Sequence, residues 1–531
     1  MLDPCEQSIQ SVENKCLVNQ LSQTVLLLSH MLMTYQEEIE GLKEKLTQQL
    51  LERYGKKSEK TPPEKLPQLD EPAVLSEQEV ADIEAAEAEI AAGKAEQKKH
   101  QSQPKRNPLP SELPREKVVL EVPEEARICN ECQGPLHCLG EDISERLEII
   151  PAQIKVIQLI RKKYGCRCCE IGVNIANMLP TMLPKSLAGP GLLSHIILSK
   201  YEDHCPLYRQ ERIWQRIGVD LPRSTLCHWV LTVAEKLAVL IPLMQQTLLD
   251  SHYARADETP VQVLEDNHLC TSKKAFMWVF TTSHPARPII VYHFAMSRGS
   301  EVAETFFKGF TGFLQSDAYS GYDKLGQQKD ITAVGCWAHV RRKFVAIVKT
   351  VSKQGEAHYA VMLIQKLYKI EKDIQAKELD FAQTQVYRQT HAKPLVTAFK
   401  GWLEEKKPKV PPKSKLGEAI GYALNHWETL IVYLAQGHLD IDNNFTERCV
   451  RPFAVGRKNW LFMGNERGGK AACVLLSLIE TAKASGLNTY DYFRYLLTEF
   501  PKINPSDEEA LKGLLPNQVN PDSLKFYINS G

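Results

Sequence analysis

The chain has 531 residues, of which 43% are hydrophobic and 24% are charged. A chain of this length exceeds what one hydrophobic core can serve, so we expect several domains. Lysine and arginine together number 65, as do aspartate and glutamate, so nucleic-acid binding would have to come from local patches and not from an overall basic charge.

No stretch resembles a signal peptide or reaches the ~18 apolar residues of a membrane span. The 14 cysteines are partly grouped in one part of the chain and do not read as a secreted disulfide framework. We therefore expect a cytoplasmic protein with no membrane partner, whose grouped cysteines bind a metal.

Residues 17–53 carry apolar side chains at seven-residue intervals. The two series are Leu21, Leu28, Tyr35 and Leu42, and Val25, Leu32, Ile39 and Leu46. Their steps alternate four and three, which is typical of a coiled coil. The pattern predicts a leucine zipper within residues 1–54 and a homo-oligomer, at least a dimer, through residues 17–53. The alternative is an amphipathic helix docked on its own protein.

The composition changes at residues 55–116, which are rich in Pro, Glu, Lys, Gln and Ala. Such a segment cannot bury much apolar surface. It is predicted to be a flexible linker with one polar helix.

Two Cys-x-x-Cys corners lie within residues 117–180. They consist of Cys129 and Cys132, and of Cys166 and Cys169. Four thiolates close a tetrahedron around one structural Zn²⁺, so we predict a zinc-ribbon-like module. The gap between the corners is longer than usual, and Cys168 could replace a neighbouring ligand. Unrelated thiols and a redox site are the alternatives.

Residues 181–245 are predicted to be helical. The first helix opens at Gly189, the second spans about 206–217, and a glycine-containing turn leads to a third that begins near Arg223 or Ser224. Helix, turn and helix is the outline of a helix-turn-helix, which reads DNA through its second helix. Packed helices that never meet DNA are the alternative.

Beyond residue 250 the apolar pattern changes to that of strands. The predicted strands are 253–256, 276–282, 289–294, 312–316 and 332–337. Asp257 closes the first strand and Asp317 follows the fourth. Carboxylates at the ends of adjacent strands can supply the hard oxygen ligands that Mg²⁺ prefers.

A third carboxylate lies on a helix predicted to begin near Asp442. Asn443 and Glu447 are four residues apart and share a helical face, so the amide can orient the carboxylate or the substrate. Three converging carboxylates can hold two Mg²⁺ ions and cut a phosphodiester. The structural alternatives are turn aspartates and an ion pair between Glu447 and Arg451.

Together these motifs resemble the transposases of the insertion sequence 66 family, a group of bacterial DDE transposases. The matching segments run in the family's order: RYGKKSEK at 53–60, the paired cysteine corners, LAGPGLL at 187–193, KYEDHCPLYRQ at 200–210, ADETPV at 256–261, SDAYSGY at 316–322, CWAHVRRKF at 336–344, DIDNNFTER at 440–448, GRKN at 456–459 and IETAK at 479–483.

The resemblance implies a multidomain, mainly α-helical protein with an α/β catalytic core of ribonuclease H-like fold. We assign that core to residues 246–340 and 435–485, and a C-terminal segment to 486–531. Residues 341–434 read as helical and fill the wide gap between Asp317 and Glu447, so we predict an α-helical insertion there.

The resemblance also implies the activity, which is that of a transposase. Such an enzyme binds the ends of an insertion sequence and catalyses DNA strand cleavage and strand transfer with two Mg²⁺ ions, held by Asp257, Asp317 and Glu447. The implied partners are transposon-end and target DNA, with two small companion proteins of the same element.

Several basic side chains are candidate DNA-phosphate contacts. These are Arg341, Arg342, Lys343, Arg448, Arg451, Arg457 and Lys458. Arg448 and His339 are candidate supporting residues of the site, although His339 fits a packed structural histidine equally well. Two other classes remain open: a DNA-binding regulator with inert carboxylates, and a host nuclease.

Overall fold

The computed structural model describes residues 154–165, 173–264, 272–282, 288–317, 319–350 and 355–528. One compact unit takes in residues 154–178 and another the residues from 179 onward. The predicted coiled coil, the linker, and the cysteines at 129, 132, 166, 168 and 169 lie outside the described residues. Within them no single helix has the length and apolarity to cross a membrane, while Arg223–Leu237 and Leu240–Leu249 meet that criterion jointly across a 48° bend.

The smaller unit contains two short antiparallel strands, β1 (Lys163–Gly165) and β2 (Val173–Ile175). In sequence they flank the second Cys-x-x-Cys corner. Just outside the two strands, Arg161 Nε donates a hydrogen bond to the Ala176 carbonyl at 2.6 Å and so joins the residues before β1 to those after β2.

The larger unit begins with the predicted helices, α1 (Pro190–Tyr201), α2 (Leu207–Arg216), α3 (Arg223–Leu237) and α4 (Leu240–Leu249). The buried Gln210 amide joins α2 to α1 by donating to the carbonyl of Ile196 at 3.1 Å. Helix α3 begins at Arg223, as the sequence predicts, and its N-cap is Pro222. Proline has no side-chain acceptor, and Glu211 Oε1 instead accepts the Arg223 N–H at 2.8 Å.

Within the described residues, five strands form one mixed sheet in the order β5-β4-β3-β6-β7. They are β3 (Tyr253–Leu264), β4 (Ser272–Thr282), β5 (Ile290–Ala295), β6 (Gly312–Gln315) and β7 (Ile331–Val334). The neighbours β3–β4 and β4–β5 are antiparallel, whereas β3–β6 and β6–β7 are parallel.

The first strand is longer than the sequence predicts. It continues through Asp257 to Leu264, because β4 pairs with it from Ala254 onward. On its other side, the Leu264 N–H donates to the Met463 carbonyl. The prediction that Asp257 closes the strand is therefore wrong.

The later helices and the π-helical turn are bounded as follows: α5 (Ser300–Phe306), α6 (Asp323–Gly326), α7 (Trp337–Thr350), α8 (Glu356–Ala376), α9 (Phe381–Tyr387), the π turn (Arg388–Ala392), α10 (Lys393–Lys406), α11 (Lys415–Asn425), α12 (Trp427–Leu430), α13 (Asn444–Trp460), α14 (Glu466–Ala484), α15 (Thr489–Glu499), α16 (Glu508–Lys512) and α17 (Pro521–Ile528).

Different helices cover the two faces of the sheet. On one face, Phe306 of α5 stacks on Phe280 of β4 with ring centroids 3.8 Å apart. On the other face, Thr446 of α13 forms a 2.9 Å hydrogen bond with Thr281. Helix α13 therefore lies against the face that carries the odd-numbered residues of β3, since Arg255 pairs with Thr281 across the ladder.

The outer edge of the sheet is closed by α14. Its hydroxyls take the place of a neighbouring strand, because Ser477 Oγ accepts the Tyr292 N–H at 2.8 Å and Thr481 Oγ1 accepts the Ile290 N–H at 3.0 Å. A covered edge cannot recruit another strand.

Helices α7 to α12 enclose a second hydrophobic core. Aromatic side chains dominate it, with Phe399 and Trp402 stacked at 5.7 Å and Trp337 and Phe344 fully buried. The helical stretch begins at Trp337, not at residue 341 as the sequence suggests. The two ends of this helical stretch lie next to each other, because the Trp337 N–H donates a hydrogen bond to the Ile441 carbonyl at 3.2 Å.

Candidate active site

Asp257 lies in the middle of β3, on the face that α13 covers. Successive side chains of a strand point to opposite faces of the sheet, so Asp257 points to the same face as Arg255 and Thr259. Its Oδ1 accepts the N–H of Glu258 at 2.8 Å. The parallel neighbour β6 pairs with β3 only through Arg255, so Asp257 lies just past the point where the two strands part.

Asp317 lies two residues after the end of β6, the parallel neighbour of β3. The parallel register aligns Ala254 with Leu314 and Arg255 with Gln315. Asp257 and Asp317 each lie two residues beyond the last pair of this register, and the charge of Asp317 helps to raise the pKa of Asp257. Parallel pairing thus delivers two acids to one edge of the sheet.

Gly312 makes this register possible. It has φ +126°, and a Cβ there would lie 2.1 Å from the His252 carbonyl oxygen. Only glycine fits such a close approach of two backbones. The next residue, Phe313, then donates its N–H to that same carbonyl at 2.9 Å.

Glu447 is delivered by the first turn of α13. The N-cap of this helix is Asn443, and the carboxylate of Asp442 accepts the Asn444 N–H at 3.0 Å. The helix therefore begins two residues after Asp442, near which the sequence predicts its start. The buried Asn443 amide does not face Glu447 but donates to the Ala256 carbonyl at 2.9 Å. It fixes the start of α13 to the residue before Asp257.

The electrostatics link the three acids. Burial, together with the charges of Glu258, Asp317 and Glu447, raises the pKa of Asp257 from 3.8 to about 7. Within the described chain neither Asp257 nor Asp317 forms an ion pair with a lysine or arginine. Neither aspartate is therefore neutralised by a direct ion pair.

Glu447 has a different environment from the two aspartates. Both of its oxygens accept hydrogen bonds from the Arg342 guanidinium, with Nη1 2.9 Å from Oε1 and Nη2 in contact with Oε2. Cys336 and His339 offer potential metal ligands beside it, with the donor atoms of all three residues within 4.8 Å of one another. The structure thus brings Glu447 into contact with α7, and not into a tight cluster with both aspartates.

His339 lies at the start of α7, facing Glu447. Its Nδ1 is 3.7 Å from Glu447 Oε1 and is buried without a hydrogen-bond partner among the described atoms. Burial and the neighbouring Arg342 lower the pKa of His339. The lowered pKa favours the neutral imidazole of His339, which faces Glu447.

The predicted phosphate contacts fall into two groups. Arg448, Arg451 and Lys458 are exposed along α13 and Lys343 is exposed on α7, whereas Arg341 is partly buried. Two others are engaged: Arg342 with Glu447, and Arg457 with Thr259 Oγ1 at 3.3 Å and with the Pro260 carbonyl.

One charged residue of the site escaped the sequence analysis. Arg255, 2% exposed, pairs with Asp440 and stacks over the Phe445 ring at 5.4 Å. It joins β3 to the segment just before α13. The available signal was its spacing, since it lies two residues before Asp257 and so on the same face of the strand.

Comparison with known proteins identifies the chain's relatives. The transposase IS66 family matches residues 185–471, the zinc-finger binding domain of transposase IS66 matches 126–170, and the IS66 C-terminal element matches 477–516. A fourth domain, described as transposase C of IS166 homeodomain, matches 41–118 and so overlaps the heptad region only at 41–53.

Curated relatives occur in Sinorhizobium fredii (strain NBRC 101917 / NGR234). Uncharacterized protein y4jD is 35% identical over 400 residues, which are 73% of this chain and 77% of y4jD. Uncharacterized protein y4qI is 33% identical over 438 residues, 79% of each chain. No solved structure matches the chain.

These matches define a transposase that carries a zinc-finger domain and a helix-turn-helix-like region. The chain belongs to the transposase IS66 family. The four predicted zinc ligands, Cys129, Cys132, Cys166 and Cys169, fall inside the zinc-finger match, which indicates a structural zinc.

Proposed function

We propose that the chain cleaves the ends of its insertion sequence and joins them to target DNA, using Asp257, Asp317 and Glu447 to hold two Mg²⁺ ions. The observation that carries this proposal is the parallel register of β3 and β6, whose last pair, Arg255 and Gln315, lies two residues before Asp257 and Asp317. We further propose that the mixed sheet, with antiparallel β3–β5 and parallel β6 and β7, is a ribonuclease H-like core.

The residues fit divalent cations on chemical grounds. Carboxylate oxygens are the ligands that Mg²⁺ prefers. The raised pKa of Asp257 marks a site that needs a compensating positive charge, because the buried acid is surrounded by other acids. When bound, two Mg²⁺ ions would activate water or a 3′-hydroxyl and offset the charge of the scissile phosphate.

The side chains around the acids would place the DNA. Exposed Arg448, Arg451 and Lys458 follow the helix that bears Glu447 and would contact backbone phosphates, as would Arg341 and Lys343 on α7. Asn443 would keep Glu447 in register with Asp257 by its hydrogen bond to the Ala256 carbonyl. His339 would orient polar groups near the scissile bond.

The remaining modules would support the same activity. The four cysteines at 129, 132, 166 and 169 would hold one structural Zn²⁺, and residues 17–53 would join two copies of the chain. Two copies provide two active sites for the two ends of an element. Residues 341–434 would be an insertion between the second and third acids.

The test is an end-cleavage and joining assay with the full chain. Its substrate is a labelled duplex that spans the junction between the element and its flank. Wild type should nick this duplex in Mg²⁺ and join the freed end to a target, and Asp257→Asn should bind the duplex without nicking it. The matched control is Asp323→Asn, which removes an exposed aspartate six residues beyond Asp317 and should retain both steps.

Two outcomes would contradict the proposal. Strand transfer by Asp257→Asn would show that this carboxylate is dispensable. Tight end binding by wild type with no metal-dependent nick would indicate a DNA-binding regulator.

A further inference from the structure

We propose that Arg342 is a positioning residue that holds Glu447 in the metal-free protein and exchanges it for a DNA phosphate when divalent cations bind. This inference rests on the proposed function, since it concerns the same carboxylate. It assigns to Arg342 a role toward Glu447 that a simple phosphate contact does not have.

The geometry of the pair carries the inference. The guanidinium of Arg342 contacts both oxygens of Glu447, one through Nη1 at 2.9 Å and the other through Nη2. This two-pronged arrangement is the strong form of an arginine–carboxylate contact. The side chains are 31% and 23% exposed, so water screens the pair only in part.

Neighbouring side chains hold Arg342 in this position. His339 Nε2 lies 3.2 Å from its Nη1, and Asn444 Oδ1 accepts from its Nη2 at 3.4 Å. His339 and Arg342 are three residues apart on α7 and so share a helical face. The guanidinium therefore lies between α7 and the first turn of α13.

A divalent cation needs the same oxygens that Arg342 occupies. Asp257 and Asp317 have no such cationic partner among the described residues, so only the third ligand is already taken. The cation and the guanidinium also repel each other. Cation binding should therefore weaken the pair between Arg342 and Glu447.

A released Arg342 would be well placed for DNA. Its side chain is already one-third exposed, and a guanidinium fork matches phosphate oxygens as well as carboxylate oxygens. Cation binding and DNA binding would then favour each other, since a coupling between two ligands is reciprocal.

A transition metal held by Cys336, His339 and Glu447 is the competing use of this cluster. Their donor atoms lie within 4.8 Å of one another. Such an ion would also have to displace Arg342 from both oxygens of Glu447. The choice of cation in the experiment separates the two uses.

The first experiment measures Mn²⁺ binding to the DNA-free full chain by electron paramagnetic resonance. Arg342→Gln should bind Mn²⁺ about tenfold more tightly than wild type, because a strong bidentate competitor has been removed. The control is Arg298→Gln, which removes an arginine from Glu258 on the opposite face of β3, where Nε donates to Oε1 at 2.9 Å. It should change the affinity less than about twofold, because Glu258 lies on the other face and is not a proposed ligand.

The second experiment measures DNA binding by fluorescence anisotropy, in EDTA and in Ca²⁺. Arg342→Gln should weaken DNA binding about fivefold in Ca²⁺. In EDTA the loss should be less than about twofold, because there the guanidinium of Arg342 is paired with Glu447 and does not contact DNA. Arg342→Lys should recover part of the Ca²⁺-dependent affinity, because lysine keeps the charge and loses the fork. A purely structural role would give equal losses in both conditions.

The experiments distinguish a failure of the Arg342 exchange from a failure of the proposed function. If Asp257→Asn leaves Mn²⁺ binding unchanged, the proposed function fails at its first step. If that binding depends on Asp257 but Arg342→Gln behaves as Arg298→Gln does, the exchange is wrong and the proposed function stands. A tighter site for Zn²⁺ alone in Arg342→Gln would also overturn the exchange in favour of the cysteine–histidine cluster.

Discussion

The two faces of β3 place adjacent carboxylates in opposite situations. Glu258 points to the face covered by α5, where its 1% exposed side chain accepts hydrogen bonds from Arg298 and from the Tyr322 hydroxyl at 2.7 Å. Asp257 points to the face covered by α13, and among the described residues its one hydrogen-bond donor is the neighbouring backbone N–H at 2.8 Å. A satisfied buried acid is typical of structure, whereas an unsatisfied one among other acids is typical of a functional site.

The largest expected effect separates activity from stability at Asp257. In Asp257→Asn, strand cleavage should fall on the order of 10³-fold, because about 4 kcal/mol of metal-dependent stabilisation is lost. Yet the variant should be more stable than wild type in EDTA at pH 8, by about 2 kcal/mol, because a buried repelled carboxylate is removed.

The pH dependence of that stability gain follows from the pKa. The folded pKa of Asp257 is raised from 3.8 to about 7, so its favourable protonation is fully present below pH 3.8 and is lost as the pH rises through 7. The advantage of Asp257→Asn in urea unfolding should therefore shrink between pH 8 and pH 4. A destabilised variant at pH 8 would contradict this account of the site.

The next effect concerns a fully satisfied buried ion pair in the helical core. Arg388, 2% exposed, contacts Glu371 at 2.6 Å and donates to the carbonyls of Tyr433, Gln436 and Leu439. Arg388→Met should lower the free energy of unfolding by about 3–5 kcal/mol, because it leaves a carboxylate and three carbonyls without their hydrogen-bond donor.

Its control is an exposed pair of similar length. Arg467→Met breaks a 2.6 Å contact between two side chains that are about half exposed, those of Arg467 and Glu235. It should lower the free energy of unfolding far less than Arg388→Met does, because water screens an exposed pair. Chemical denaturation of both variants gives the comparison. Equal losses would show that burial does not distinguish the two pairs.

A smaller effect is expected on the structural face of β3. Tyr322→Phe leaves the buried Oε2 of Glu258 without its hydroxyl donor and should cost about 1–3 kcal/mol. Tyr319→Phe removes a hydroxyl that donates to the Arg298 carbonyl at an exposed position, and should cost less. Thermal melting measures both, and strand cleavage by Tyr322→Phe should persist.

The smallest effect is a pH-dependent one at Glu480 on α14. Burial raises the pKa of this 7% exposed acid above 4.5, although Lys483 contacts it at 3.1 Å. The stability that protonated Glu480 contributes is complete below pH 4.5 and is lost as the pH rises through the folded pKa. Glu480→Gln should thus be more stable than wild type at pH 8, because the amide carries no buried charge. Parallel melting curves at pH 4 should coincide.

Much of the core could be predicted from periodicity and motif. The helices from Pro190 to Leu237 and the five strands follow local apolar patterns that tertiary contacts reinforce. The sequence also predicts that Glu447 lies near the start of a helix, and α13 begins three residues before it. Short-range signals are sufficient for such elements.

The length of β3 could not be predicted in the same way. Asp257, Glu258 and Pro260 all disfavour a strand by propensity, and only the ladder with β4 extends it to Leu264. The pair between Arg342 and Glu447 also escaped prediction, because it joins residues 105 positions apart through the packing of two helix starts. Contacts of that range have no local sequence signal.

The closed ends of the helical stretch between β7 and α13 have a consequence for how this chain can vary. The Trp337 N–H bonds to the Ile441 carbonyl, and the Asn443 N–H bonds to Cys336 Sγ at 3.3 Å, so the stretch leaves and returns at one point. Lengthening a segment whose ends are already held together costs little chain entropy. Helices can therefore be gained or lost between residues 355 and 435 over evolutionary time while the distance from Asp317 to the start of α13 stays constant.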